Sequence, residues 1–157
     1  MAGLSHLDGD GRARMVDVSE KPVTARTASA EAVVVMSEAA YAAASAGDLP
    51  KGDLLAVVRL AGIMAAKRTA DLVPLCHPLA LTDIEVTARL DAALPGVRLA
   101  SEVRCVERTG AEMEALTACA VAALTVVDMV KAVDPWVTVT DLRVMAKAGG
   151  RSGDRQR

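Results

Sequence analysis

This sequence predicts an α+β sandwich, an antiparallel sheet covered on one face by two longer helices, and three observations point there. Residues 83–91 and 97–109 alternate apolar and polar side chains, and with Leu94-Pro95-Gly96 between them they read as a β-hairpin. A thirteen-residue uncharged run, Ala115 to Val127, lies inside a longer helical segment from Glu112 to about Val133. Near the two ends of the chain, the run AVVVM within 28–36 and the segment TVTDLRVMAK are rich in β-branched residues that suit strands.

In chain order, the first 27 residues are polar and Gly-rich around DGDG and show no sustained period, as expected of an arm that orders only against other structure. The strand at 28–36 follows, then SEAAYAAASAG, a short Ala-rich helix stopped at Gly47. Residues 48–52 form a turn. From Asp53, a natural N-cap, to about Asp71, the residues Leu54, Val57, Val58, Ala61 and Ala65 recur at helical spacing. Pro74 and Pro78 then break the chain into the loop VPLCHPLAL. After the hairpin, Thr109-Gly110-Ala111-Glu112 opens the longest helix and Asp134-Pro135 closes it. The last ten residues, 148–157, are Gly-rich and charged, hence mobile unless a ligand or partner holds them. The order βα(α)ββαβ is that of a ferredoxin-like sandwich, read here as one domain over 1–157.

Composition narrows the function. At 157 residues the chain has the size of one domain able to bury a core. With 24% charged residues and a net charge of −2 it is not a generally basic nucleic-acid binder. Tyr41 and Trp136 are its only aromatics, so there is no platform for stacking bases, and a purine or pterin ring would be read by hydrogen bonds and aliphatic contacts. Cys76, Cys105 and Cys119 have no CxxC spacing, which argues against a disulfide framework or a cysteine-rich zinc site and fits a reducing compartment. The first twenty residues lack the apolar core of a secretory signal. The uncharged run is too short and too Thr-rich for a membrane span of roughly 20 apolar residues. A cytoplasmic protein, with neither nucleic acid nor membrane as partner, is the expectation.

Lysine usage is the first chemical clue. Only five of the 18 basic residues are lysines, at 21, 51, 67, 131 and 147, and unlike arginine a lysine can be tuned to exchange its proton. Lys131 lies three residues after Asp128, on one helix face, and the two are the first charges after the uncharged run. They form either a plain ion pair at a helix end or a coupled acid–base pair at the edge of a buried helix. His77 sits in the Pro-bracketed LCHPL, whose stiff backbone would aim the ring, although an isolated histidine is more often a satisfied surface or core residue. Cys76 beside it has no second ligand pair at metal spacing, so no structural zinc is expected. Glu112 and Glu114 flank Met113 at the start of the long helix, where carboxylates suit the helix dipole in any case. A functional carboxylate there would accept from the adjacent N–H groups of a guanine or pterin. Lys67 with Arg68, and Lys147 ahead of GGRSG, set cations beside free backbone N–H groups as phosphate would require, but without the Walker spacing.

Assembled in order, MVDVS (15–19), KGD (51–53), AGIMAAKRTADLVPLCHPL (61–79), TGAEMEALTA (109–118), DMVKAV (128–133) and AKAGGRSGD (146–154) resemble the cyclic pyranopterin monophosphate synthase (MoaC) family. The likeness runs from about residue 5 to 154, and LCHPL and EMEALTA are its specific elements. It implies a ferredoxin-like subunit in a hexamer, a trimer of dimers with sites at subunit interfaces. It further implies a small-molecule nucleotide substrate, 3′,8-cyclo-7,8-dihydro-GTP, rebuilt into a cyclic pyranopterin monophosphate with release of pyrophosphate in molybdenum-cofactor biosynthesis. No redox step or resident cofactor is implied, and a Mg²⁺ carried by the triphosphate stays open. By the same resemblance Asp128 is the catalytic carboxylate, Lys131 its partner and Lys51 a general acid or base. Leu75, Cys76, His77, Met113 and Glu114 line the substrate pocket, Glu112 lies near the base, and Lys67 and Lys147 meet the phosphates. Lys21 looks incidental. The chain departs from the pattern at Arg151, where Lys is usual, and at Ala146 and Val127, where Glu and Tyr are typical.

Glu112 and Asp128 are sixteen residues apart on one predicted helix, roughly 24 Å at about 1.5 Å per residue. If both serve one site, two subunits must build it. A non-catalytic effector-binding domain of the same fold is the competing reading, but it gives no reason for Lys51, His77, Asp128 and Lys131 to occur in this arrangement. An RNA-binding sheet of this topology fails on the missing aromatics and the negative charge.

Overall fold

In the computed structural model, which describes residues 7, 9–150 and 153–157, the predicted segments become β1 (Thr24–Val35), α1 (Glu38–Ala46), α2 (Leu54–Ala66), α3 (Thr69–Leu72), β2 (Leu81–Asp91), β3 (Gly96–Glu107), α4 (Glu112–Val130), β4 (Thr138–Ala148) and β5 (Arg155–Gln156). The sheet order is β2-β3-β1-β4-β5 and every neighbouring pair is antiparallel. The first four strands and the helices between them are the expected ferredoxin-like α+β arrangement; β5 is an addition at one edge.

Local chemistry sets the boundaries. Ser37 caps α1 by accepting from the Ala40 amide (3.3 Å), and Gly47, at φ 76°, ends it in the left-handed conformation. The predicted helix over 53–71 is instead two, α2 and α3. The Thr69 hydroxyl donates to the Ala66 carbonyl (3.0 Å), and this side-chain bond competes with the helical ladder at the break. The first strand starts at Thr24 rather than 28, so residues 24–27 belong to the sheet and not to the arm. They carry no apolar run, and it is pairing with residues 104–107 of β3 that makes them strand. The tail returns as β5 against Ala146 and Lys147, while Arg151 lies outside the described residues.

The core lies between the sheet and the helices. Ala28, Ala30, Ala32 and Val34 of β1 and Val97, Leu99 and Val103 of β3 face Ala115, Cys119, Ala122 and Val126 of α4. Helix α4 is long and apolar enough to cross a membrane by length and composition alone, but ten of its nineteen residues are buried against the sheet and α2. Small side chains let these helices approach closely. A methyl group at Gly62 of α2 would stand 3.0 Å from Val86 and 3.1 Å from the Ala118 carbonyl of α4. The result is a rigid α4 with a different group of polar side chains at each end.

Candidate active site

At the C-terminal end of α4, the turn before α2 projects Lys51 onto the helix. Asp53 caps α2 by accepting from the Ala56 amide (3.0 Å), which fixes that turn. The Lys51 ammonium donates to one carboxylate oxygen of Asp128 and to the Asp128 carbonyl (3.0 Å), and Lys131 Nζ meets the other carboxylate oxygen at 2.8 Å. Lys131 and Lys51 together hold the Asp128 carboxyl down at about pKa 2 through their hydrogen bonds. Asp128 is therefore an anion at neutral pH that orients two ammonium groups side by side. Cations at a helix C-terminus also suit its dipole.

The other sequence-predicted residues gather at the opposite end of α4. Leu75, Cys76 and His77 of the Pro-bracketed loop face Glu112, Met113 and Glu114 across a cavity of about 320 Å³, whose remaining walls include Val16, Val18, Lys21 and Thr109. His77 Nε2 lies 2.8 Å from the Val16 carbonyl. A carbonyl only accepts, so this nitrogen carries the hydrogen and Nδ1 is the ring nitrogen not used in that bond. Glu114 is only 4% exposed, and burial raises its carboxyl to about 6, with the neighbouring Glu112 charge a smaller cause in the same direction. Burial also raises the Cys76 thiol. Glu114 is thus poised to exchange a proton near neutrality, a property its place in the sequence did not disclose.

A second cavity of about 350 Å³ adjoins the first, sharing Lys21, Thr109, Gly110 and Glu112, and adds Arg26, Arg108 and Lys147. Lys147 Nζ is 3.0 Å from Glu112 Oε1. Lys67 lines a separate cleft of about 110 Å³ that reaches Glu114 and Pro78 from behind the loop, so the two lysines expected to share the phosphates do not share a cavity. Lys21, expected to be incidental, borders both larger cavities. Arg26 and Arg108 were missed altogether. The available signal was position: Lys21 closely follows MVDVS and Arg108 immediately precedes TGAEMEALTA.

Lys51, Asp128 and Lys131 do not meet His77, Glu112 and Glu114 within this chain. Glu112 and Asp128 lie on the single helix α4, sixteen residues and about 24 Å apart. Among the described residues no group of three or more His, Cys, Asp or Glu side chains is placed to hold a metal ion.

An α+β fold that sets paired lysines and an anion at one end of a core helix, and a buried carboxyl beside a histidine at the other, has the parts of an acid–base enzyme acting on a polyanion. Comparison with known proteins is more specific. The MoaC family model matches residues 15–150. A cyclic pyranopterin monophosphate synthase of Methylobacterium sp. (strain 4-46) is 57% identical over 153 residues, covering 98% of this chain and 96% of the relative. The synthases of Cereibacter sphaeroides (strain KD131) and Roseiflexus sp. (strain RS-1) are 56% and 55% identical, again over 98% of this chain and 96% and 98% of their own. The chain belongs to the MoaC family.

Proposed function

We propose that this chain is a cyclic pyranopterin monophosphate synthase, a lyase that converts 3′,8-cyclo-7,8-dihydro-GTP into cyclic pyranopterin monophosphate and pyrophosphate on the route to molybdenum cofactor. The observation that carries the reading is the joint presence of the Lys51–Asp128–Lys131 cluster and the His77–Glu112–Glu114 cavity, in a chain more than half identical to synthases over nearly its full length.

The chemistry is proton management followed by charge neutralisation. Opening and reclosing the base portion moves protons onto and off ring nitrogens, work for which Glu114 and His77 Nδ1 are suited. Lys51 and Lys131, presented by Asp128, supply further proton donors and positive charge. Asp128, held near pKa 2, serves as their anchor and not as the base. In the last step a substrate hydroxyl gives up its proton to a neighbouring base and attacks the α-phosphorus, that P–O bond forms, the bond to the β-phosphate oxygen breaks, and pyrophosphate leaves with the electron pair. The cations that line the second cavity, Lys147 among them, offset the departing charge. Atoms balance without oxidant or reductant, so the reaction calls for no redox cofactor, and a Mg²⁺ would arrive on the triphosphate.

Because the two clusters lie at opposite ends of α4, one complete site takes Asp128 from one subunit and Glu112 from another. A homo-oligomer is therefore part of the proposal, with a trimer of dimers as its form. The outer face of α2 supports it: Leu60 and Met64 are 59% and 51% exposed, an apolar stripe on which a neighbouring copy would bury its own surface. Three free thiols agree with a cytoplasmic location.

The test incubates the purified chain with 3′,8-cyclo-7,8-dihydro-GTP and looks for cyclic pyranopterin monophosphate and pyrophosphate by mass spectrometry, alongside Asp128→Ala and Lys131→Ala. Product from the parent and at least a hundredfold less from each variant is expected, on the order of magnitude for a positioned acid or base. A folded parent that binds the nucleotide without turning it over would instead favour the effector-binding reading.

A further inference from the structure

One segment of the arm is fastened to the site at two points. Residues 16–21 form a tight turn: the Lys21 amide donates to the Val18 carbonyl (3.0 Å), and the Asp17 carboxylate accepts from the Ser19 amide (2.9 Å) and hydroxyl. At its start, His77 holds the Val16 carbonyl. At its end, a single nitrogen of Arg108, Nη1, donates to both the Ser19 and the Lys21 carbonyls. Arg108 is itself braced from β1, because Arg26 Nε donates to the Glu107 carbonyl (2.9 Å) and Nη2 to the Arg108 carbonyl (3.1 Å). Val16 and Val18 are half-buried in the cavity wall, and these bonds hold the polar remainder of the turn, charge-assisted donors being the strong kind.

At the second anchor the arm presents Lys21 at the boundary of the adjoining cavities, beside the Glu112–Lys147 pair. We propose that Arg108 is a positioning residue of this synthase: by clamping the Ser19 and Lys21 carbonyls it holds the Lys21 ammonium over the junction where the base-lined and cation-lined cavities meet. Its own carbonyl clamp consumes Nη1, and its part in the reaction runs through the lysine it places. A nucleotide triphosphate lying across both cavities passes that junction, so the placed charge acts on the bound substrate as a whole and belongs mainly to KM. This inference rests on the synthase reading, since it is a substrate of that shape that spans the two cavities.

The experiment has one arm independent of turnover. Hydrogen exchange of residues 16–21 is compared in the parent, Arg108→Gln and Arg108→Lys, with α4 as the internal reference. In Arg108→Gln the exchange of the Ser19 and Lys21 amides rises at least tenfold while α4 keeps its protection, and Arg108→Lys, which retains charge but not the paired donors of one planar nitrogen, falls between. In the turnover arm, Arg108→Gln and Lys21→Gln each raise KM about tenfold with kcat within threefold, and the double variant is no worse than either single one, as two residues acting as a unit require. Unchanged exchange in Arg108→Gln overturns the clamp. A loosened arm with unchanged KM, or additive effects in the double variant, overturns the positioning role. A parent without turnover overturns the synthase reading itself and is told apart from these because the exchange result is read regardless.

Discussion

Two carboxyl groups on α4 have been given opposite characters by their surroundings. Asp128, at the exposed end, has two ammonium partners and stays ionised at any pH above about 2. Glu114, at the buried end, has lost its water and is pushed up to about 6. The sign of the second effect fixes a prediction. In the unfolded chain Glu114 returns to its ordinary value of 4.5, so between pH 4.5 and 6 the folded state binds more protons and stability falls as pH rises through that window. The loss is complete above about pH 6. Glu114→Gln, which cannot ionise, should recover up to about 2 kcal/mol at pH 8 and nothing at pH 4, as read from urea denaturation at the two values. The same substitution should remove the limb near pH 6 from the pH profile of kcat/KM. An unaltered limb would assign that proton to another group.

At the scale of elements, the site is positioned by how closely α2 and α4 pack. Gly62 of α2, set against the Ala118 carbonyl of α4, brings the two helices near enough that the loop following α2 and α3 delivers Leu75–His77 beside Glu114. Gly62 has no room to grow, with Val86 and the Ala118 carbonyl within van der Waals reach of an added methyl. Gly62→Leu should cost about 1–3 kcal/mol through overpacking, measured as a lower urea midpoint at unchanged m-value. Because the displaced helix carries the pocket loop, KM should rise in the variant under conditions where it is still folded. An equal midpoint would show that the interface yields more easily than its geometry suggests.

For the whole molecule, the length of α4 bears on the stoichiometry of the proposed site. A nineteen-residue helix cannot bring both of its ends to one small reacting centre. In the proposed two-subunit site, Lys131→Ala and Glu112→Ala disable different halves. Mixed after co-refolding, the two inactive variants should complement: half of the dimers in a random one-to-one mixture are mixed, each with one intact site of two, giving about a quarter of the parental activity. Mixtures as inactive as their components would mean that each chain builds its site alone and that the synthase must bend or rearrange to do so.

The sequence by itself determined the order of the first four strands and the longer helices, the β2–β3 hairpin, the core helix and the family, because alternation, helical periodicity and turn chemistry are local properties and motifs such as LCHPL and EMEALTA are contiguous. It also nominated Asp128 and Lys131, which share one helix face three residues apart. Only the tertiary structure decided that Lys51 reaches across 77 residues to join them, that Glu114 and not Glu112 is the buried carboxyl, and that Lys67 and Lys147 line different cavities. The bonds that Arg26 and Arg108 make were illegible beyond their nearness to the motifs, since an arginine that grips backbone carbonyls leaves no residue pattern in the segment it grips. Residues 24–27 became strand for a related reason: their partners, and not their own composition, supply the hydrogen bonds. Pairing, desolvation and long side-chain reach depend on what lies opposite in space, and a linear sequence does not specify that until the chain has folded.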